Sequence, residues 1–185
     1  MDPPSDDQPL FDPSSLAAAR QRSTIDFDDG DGKYHLRPLR STDFARGHLD
    51  LLSQLTVTGD VDRKTYADTF AAMKANAGTY YIIVVEDTHR DRIVASGSLV
   101  LEKKFIHSCG QRGRIEDIVV DSDCRGKRFG KIVVQHLIAL ACILKCYKIS
   151  LECKDSNVNW YSSMGFVSEH GNSNYMQIRF EESVN

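Results

Sequence analysis

"IEDIVVDSDCRGKRFGK" occupies Ile115–Lys131, and "IVVQHLIALACILK" follows directly as Ile132–Lys145. An apolar run carrying Glu116 and Asp117 gives way to a polar stretch. Gly126 and Gly130 then stand among Arg125, Lys127, Arg128 and Lys131. The next segment is almost wholly apolar. The order reads as strand, glycine loop, buried helix, and it decides the fold class: a strand that feeds a helix through a short loop belongs to a mixed α/β domain.

The loop also carries chemistry. Two glycines let successive backbone N–H groups turn to one side and form a nest of donors. The following helix adds its N-terminal amides and the positive end of its dipole. Four cations add formal charge, and the whole suits a phosphate or pyrophosphate. A P-loop needs G-x-x-x-x-G-K-[ST], and here no Ser or Thr follows Lys131. A Rossmann G-x-G-x-x-G is absent. An exposed basic signal or RNA patch fits poorly beside an apolar helix, and the plain alternative is a surface turn with solvated charges.

Working outward, "KYHLRPLR" reads as a first strand with Tyr34, Leu36 and Leu39 inward. "STDFARGHLDLLSQL" opens with cap-type residues and sets Phe44, His48, Leu51, Leu52 and Leu55 on one helical face. In "DRKTYADTFAAMKANAG", Tyr66, Phe70, Met73 and Ala77 repeat at helical spacing before Gly78. "TYYIIVVED" and "RIVASGSLVLEKKF" are strands joined through "THRD". After the apolar helix come strand "YKISLEC", short helix "SNVNWYSSM", and two closing strands, "GFVSEH" and "NYMQIRF". The fold class is α/β, with an α+β mixed sheet and helices around it. Residues 1–32 hold four of the five prolines and many aspartates. They are expected to form a mobile acidic tail with one short helix at "SSLAAARQR", and residues 33–185 a single domain.

The whole chain suits this reading. Its 185 residues fit one domain of moderate size, and 41% apolar residues supply a core. A net charge of −3 argues against a general nucleic-acid binder. No apolar stretch is long enough for a membrane span, and the acidic N-terminus lacks the pattern of a secretory signal, so the expected location is cytoplasmic. The five cysteines, Cys109, Cys124, Cys142, Cys146 and Cys153, form no C-x-x-C. They read as reduced, buried thiols of an intracellular protein, with Cys142 and Cys146 on one helical face, and no metal site is expected.

The stretch 115–145 followed by "YKISLECKDSNVNWYSSMGF" resembles the GNAT superfamily of acyl-CoA-dependent N-acetyltransferases. In the family's pyrophosphate signature, [QR]-x-x-G-x-[GA], Arg125 fills the first position and Gly130 the last, while Arg128 stands where the middle glycine belongs. "LTVTG", "EKKFIH", "GRIEDIVV", "CYKISLEC", "NVNWY" and "YMQIRF", in this order from Tyr34 to Phe180, are similar to the glucosamine-6-phosphate N-acetyltransferases within it.

The resemblance implies a mostly antiparallel sheet splayed around acetyl-CoA. It implies pyrophosphate binding by Arg125, Gly126, Lys127, Arg128, Phe129, Gly130 and Lys131. The backbones of Ile118, Val119 and Val120 would pair with the pantetheine arm like an added strand, and Asn157 would bond the same arm. Asn157 and Tyr161 are four apart and share a helical face. By the resemblance, Tyr161 protonates the departing thiolate. Glu152 falls on the polar face of an alternating "ISLEC" strand, and the family reading sets it near the reacting amine as base or orienting group. Glu116 and Asp117 are costly in a buried strand unless paired. An amino sugar would pair with them, and Arg112 or Arg114 would do so in a purely structural reading. Lys104, His107, Lys148 and Arg179 are implied as cations for the sugar phosphate, with Thr56 and Tyr147 as polar contacts. The family pattern is a homodimer whose chains share each sugar site. Two other functions share this fold: an acetyltransferase for a protein or polyamine amine, and a non-catalytic acyl-CoA binder.

Overall fold

The computed structural model describes residues 7–25, 27, 31–169, 171 and 176–178. The chain falls into two compact units, Met1–Leu151 and Glu152–Asn185.

The first unit is built on a five-stranded sheet in the order β1 (Tyr34–Pro38), β2 (Tyr80–Asp87), β3 (Arg92–Lys103), β4 (Gln111–Val120), β5 (Cys146–Ser150). The first four strands pair antiparallel, and β5 lies parallel to β4. A parallel neighbour requires a crossover, supplied by the apolar helix α5 (Phe129–Ile143). Its Val133, Leu137 and Leu140 have no exposed surface. Strand side chains alternate between faces. Ile82, Val84, Ile93 and Val119 pack on one face with Leu39, Leu51 and Phe70, which α2 (His48–Leu52) and α3 (Arg63–Ala75) supply or flank. A Cβ on Gly97 of β3 would meet Val133 and Leu137, so Gly97 faces α5 on the other side.

The helix expected over "STDFARGHLDLLSQL" is cut to α2, and residues 41–47 form turns. Asp43 explains the difference. Its buried carboxylate accepts from the Arg40 amide at 2.8 Å and from Arg37 Nη1 and Nη2 at 2.8 Å each. That local network competes with a helix, and Gly47, at φ +73, marks the turn into α2.

Residues 7–25, part of the expected mobile tail, hold α1 (Pro13–Arg20), capped by the Asp12 carboxylate. Leu10, Leu16 and Ala19 are buried. α1 packs on α5, Pro9 bridges Arg40, and Lys74 Nζ donates to the Pro9 carbonyl at 2.6 Å. Three buried apolar side chains offset the ordering cost that acidic composition alone leaves unmet.

β5 ends at Ser150, short of Glu152, so the alternation read across "ISLEC" does not extend to Glu152. β4 and β5 pair only from Gln111 to Arg114, and no ladder holds the chain extended beyond. Cys142 lies in α5 and Cys146 in β5, so they share no helical face. All five cysteines are free, and Cys124 alone is buried.

In the second unit, a 3-10 turn at Asp155–Asn157 leads into α6 (Val158–Ser162). Tyr161 is buried, with ring centroids of Trp160 at 4.7 Å and Phe166 at 5.8 Å. Gly165–Glu169, expected as a strand, forms no strand with the other described residues. Of the last expected strand, 174–180, only Met176–Ile178 is described, and the rest lies outside the described residues. No described helix is long and apolar enough to cross a membrane.

Candidate active site

The glycine loop begins at a buried carboxylate. Asp121 accepts from Arg92 Nη2 at 2.6 Å, from Gln54 Nε2 at 3.3 Å and from the Asp123 amide at 2.9 Å. Gln54 Oε1 in turn accepts from the Ser122 amide at 2.9 Å. This clamp fixes where the chain leaves β4. Gly126 then adopts φ +82 and Arg128 φ +65. Two left-handed residues in a tight loop turn the intervening amides to one side. Arg128 is the N-cap of α5, and no side chain caps that helix. The first-turn amides of Phe129, Gly130 and Lys131 have no intrahelical partner. They are therefore available to an anion, which also meets the positive end of a 15-residue helix.

Arg125, Lys127 and Arg128 are exposed around this mouth. Phe129 is buried and pins the helix start, its ring 4.8 Å from that of Tyr34. Lys127 Nζ donates to the Tyr34 hydroxyl at 2.6 Å and lies 5.0 Å from the Tyr34 ring centre.

The strand leading into the loop has a free edge. β5 leaves β4 at Arg114, and no other described strand pairs with that edge from Ile115 to Val120. The same stretch carries a bulge. Ser96 pairs Val119 and Ser98 pairs Glu116, so Gly97 alone opposes Asp117 and Ile118. Asp117 takes φ +53 at the bulge. Bulges re-aim side chains beside active sites, and here Asp117 turns to the α2–α3 face, where it lines a cavity with His48, Tyr66 and Ser98.

The two carboxylates expected to act together differ. Glu116 pairs with Arg114 Nε, as a structural reading allows. Asp117 has no cationic partner among the described residues. Partial burial, with Glu116 beside it, pushes its carboxyl above the usual range. A cationic ligand would relieve that cost.

Lys104, His107, Tyr147 and Lys148 gather near one end of the sheet. The Lys104 amide donates to the Gly110 carbonyl at 2.8 Å. The His107 and Tyr147 rings lie 4.2 Å apart, and Lys148 pairs with Arg112 across β4–β5. His107, Ser108 and Cys109 all carry positive φ in the turn α4 (Ile106–Cys109). The Lys104 ammonium pairs with Glu102, whose carboxyl is held at about 2 by hydrogen bonds from Arg112 and Lys104. Thr56 is exposed just after α2.

In the second unit, Asn157 ends the 3-10 turn and stands at the N-cap position of α6, with Tyr161 on the first turn beyond it. Burial raises the Tyr161 hydroxyl above its ordinary range. Glu152 is exposed. Arg179 lies outside the described residues.

Sequence reasoning missed the Asp121 clamp, the Tyr34–Lys127 contact and the His48–Tyr66–Ser96 cluster. "DSD" at 121–123 is an Asx-turn signal and was legible. The other two join residues far apart in sequence and left no local trace.

The GNAT acetyltransferase family model matches residues 48–166. A probable glucosamine 6-phosphate N-acetyltransferase of Drosophila melanogaster is 45% identical over 94% of this chain and 82% of its own length. A glucosamine 6-phosphate N-acetyltransferase of Arabidopsis thaliana is 39% identical over 74% of this chain and 91% of its own. The crystal structure of glucosamine-6-phosphate N-acetyltransferase from Arabidopsis thaliana superposes with a TM-score of 0.76 at 36% identity, covering 80% of this chain and 99% of that one. With its glycine loop, free strand edge and crossover helix, the chain belongs to the acetyltransferase (GNAT) family and, within it, to the glucosamine 6-phosphate N-acetyltransferases.

Proposed function

We propose that the chain transfers the acetyl group of acetyl-CoA to the 2-amine of D-glucosamine 6-phosphate, giving the N-acetyl sugar phosphate and CoA. The observation that carries the cosubstrate is the uncovered edge of β4 from Ile115 to Val120, which runs into the uncapped start of α5. Amides at Gly126–Lys131 receive the pyrophosphate, Arg125 and its neighbours supply charge, and the backbone of Ile118–Val120 pairs with the pantetheine arm. Asn157 bonds the same arm. The relatives support the sugar as acceptor.

Acyl transfer then proceeds within one ternary complex. The amine must arrive as the ammonium and leave its proton before attack. Glu116 and Asp117 receive it, and Glu152 takes the proton directly or through water. The amine nitrogen bonds to the thioester carbon, and collapse of the tetrahedral intermediate breaks the C–S bond. Tyr161, kept protonated by burial, donates to the departing thiolate and is reprotonated by the proton that the nitrogen sheds in becoming an amide. Lys104, His107, Lys148 and Arg179 hold the phosphate with Thr56 and Tyr147. Two chains complete each sugar site in a cytoplasmic homodimer, and the product enters UDP-N-acetylglucosamine synthesis.

The test is a thiol-release assay with glucosamine 6-phosphate, glucosamine, a lysine peptide and spermidine. Release is expected with the phosphorylated sugar, with one N-acetyl product per thiol. Equal turnover of the peptide or spermidine overturns the acceptor. Acetyl-CoA binding without turnover of any amine overturns the enzymatic role.

A further inference from the structure

The cavity on the α2–α3 face measures about 250 Å³. An apolar cavity of about 150 Å³ already admits a benzene-sized guest. Most of this wall is apolar, from residues such as Leu39, Leu52, Phe70 and Met73. Away from Asp117 at one edge, its polar groups meet one another: His48 Nδ1 lies 3.1 Å from the Tyr66 hydroxyl, and Nε2 lies 3.4 Å from Ser96 Oγ. Such a space suits an uncharged aliphatic group.

Asp117 and Ser98 connect this space to the proposed acyl site. Asp117 lines the cavity at the β4 bulge, and Ser98 lines it from β3. A pantetheine arm laid on the free edge runs from the loop after Val120 back toward Ile115. Val120 to Asp117 is three residues of β4, at most about 10 Å, within reach of an extended arm that starts in the loop. The thioester therefore arrives beside Asp117. An acetyl group ends there, whereas a longer chain has two courses, into solvent or into the cavity. Burial favours the second by about 0.8 kcal/mol per methylene.

We infer that this cavity is an acyl-chain pocket, and that the chain accepts aliphatic acyl-CoA donors longer than acetyl, in the range of propionyl to hexanoyl. The inference rests on the cosubstrate reading above. The reaction is unchanged: Glu152 takes a proton from the ammonium, the amine nitrogen bonds to the acyl carbon, the C–S bond breaks, and Tyr161 protonates the CoA sulfur.

The experiment measures kcat/KM for acetyl-, propionyl-, butyryl- and hexanoyl-CoA with glucosamine 6-phosphate, in the full chain and in Met73→Trp and Leu52→Phe variants that fill the cavity. One misplaced methylene in a closed pocket costs about 10- to 200-fold. The wild-type chain is expected to hold butyryl-CoA within about tenfold of acetyl-CoA. At least one filled variant is expected to lower the butyryl-to-acetyl ratio about tenfold or more. A wild-type ratio below about one hundredth, or a ratio unmoved in a filled variant that still melts cooperatively, overturns the pocket. Failure to bind or turn over acetyl-CoA overturns the cosubstrate reading and the pocket with it.

Discussion

Gly97 of β3 stands directly against Ile118 of β4: a Cβ at position 97 would lie 2.5 Å from Ile118 Cδ1 and 2.5 Å from Val133 Cγ1. The absent side chain lets α5 approach the sheet where β4 bulges, and so sets the height of the glycine loop over the strand edge. Gly97→Val therefore forces an overpacked core, which costs about 1–3 kcal/mol or more. Urea unfolding should show that loss, and the acetyl-CoA KM should rise with it. A variant as stable as wild type with the same KM would remove Gly97 from this role.

Arg128 holds a left-handed conformation at the mouth of the nest, at φ +65. A non-glycine residue there carries roughly 1–2 kcal/mol of strain. Arg128→Gly removes the strain and one charge, so stability should stay within about 1 kcal/mol of wild type. CoA affinity should fall only a few-fold, by an amount that shrinks as salt rises. Arg128→Val keeps a Cβ and adds branching, and should weaken CoA binding at least about tenfold. Calorimetric titration of both variants separates conformation from charge.

Tyr161→Phe deletes the hydroxyl proposed as proton donor and keeps the ring packing against Trp160 and Phe166. Loss of one positioned donor commonly costs about 10²-fold or more in kcat. Equilibrium binding of acetyl-CoA should be unchanged, and unimpaired turnover would remove Tyr161 from the leaving-group step. Because burial raises its pKa above 10.0, the hydroxyl stays protonated through neutral and mildly alkaline pH.

His48 is neutral in the fold. Burial lowers its pKa from 6.5 to about 4, Arg37 reinforces the shift, and Asp43 opposes it. The unfolded chain binds this proton near pH 6.5 and the folded chain only near pH 4. Between those values the unfolded state holds more protons, so stability falls as pH drops from 6.5 to 4. The contribution is on the order of 3 kcal/mol. Urea midpoints at pH 7 and pH 4.5 should differ less in His48→Gln than in wild type.

Asp43 is fully buried with Arg37. Removing one member of a buried pair leaves an uncompensated charge and costs about 3–5 kcal/mol. Asp43→Ala should therefore unfold at a markedly lower urea concentration. The double variant Arg37→Met/Asp43→Leu should lose less than Asp43→Ala alone, because it removes both fully buried charges and leaves Glu86, which also pairs with Arg37 at 2.6 Å, its second partner Arg46 at 3.2 Å. An equal or larger loss in the double variant would show that the pair itself, rather than its balance, holds the turn at 41–47.

Local pattern determined much of this protein. Alternation and β-branched runs located β1 to β4, the unbroken apolar stretch located α5, and "CRGKRFG" located the glycine loop before it, because each depends on neighbours a few residues apart. Tertiary contact decided the rest. Asp43 reaching Arg37 cut short a helix that periodicity favoured, and Leu10 and Leu16 folded a segment whose composition read as a tail. Glu152 lost its strand because β5 leaves β4 at Arg114, and the sequence of β5 does not record where its partner turns away. The bulge at Asp117 and the cavity beside it arise where β3, β4, α2 and α3 meet, and a contact among four separate segments leaves no periodic signature in any one of them.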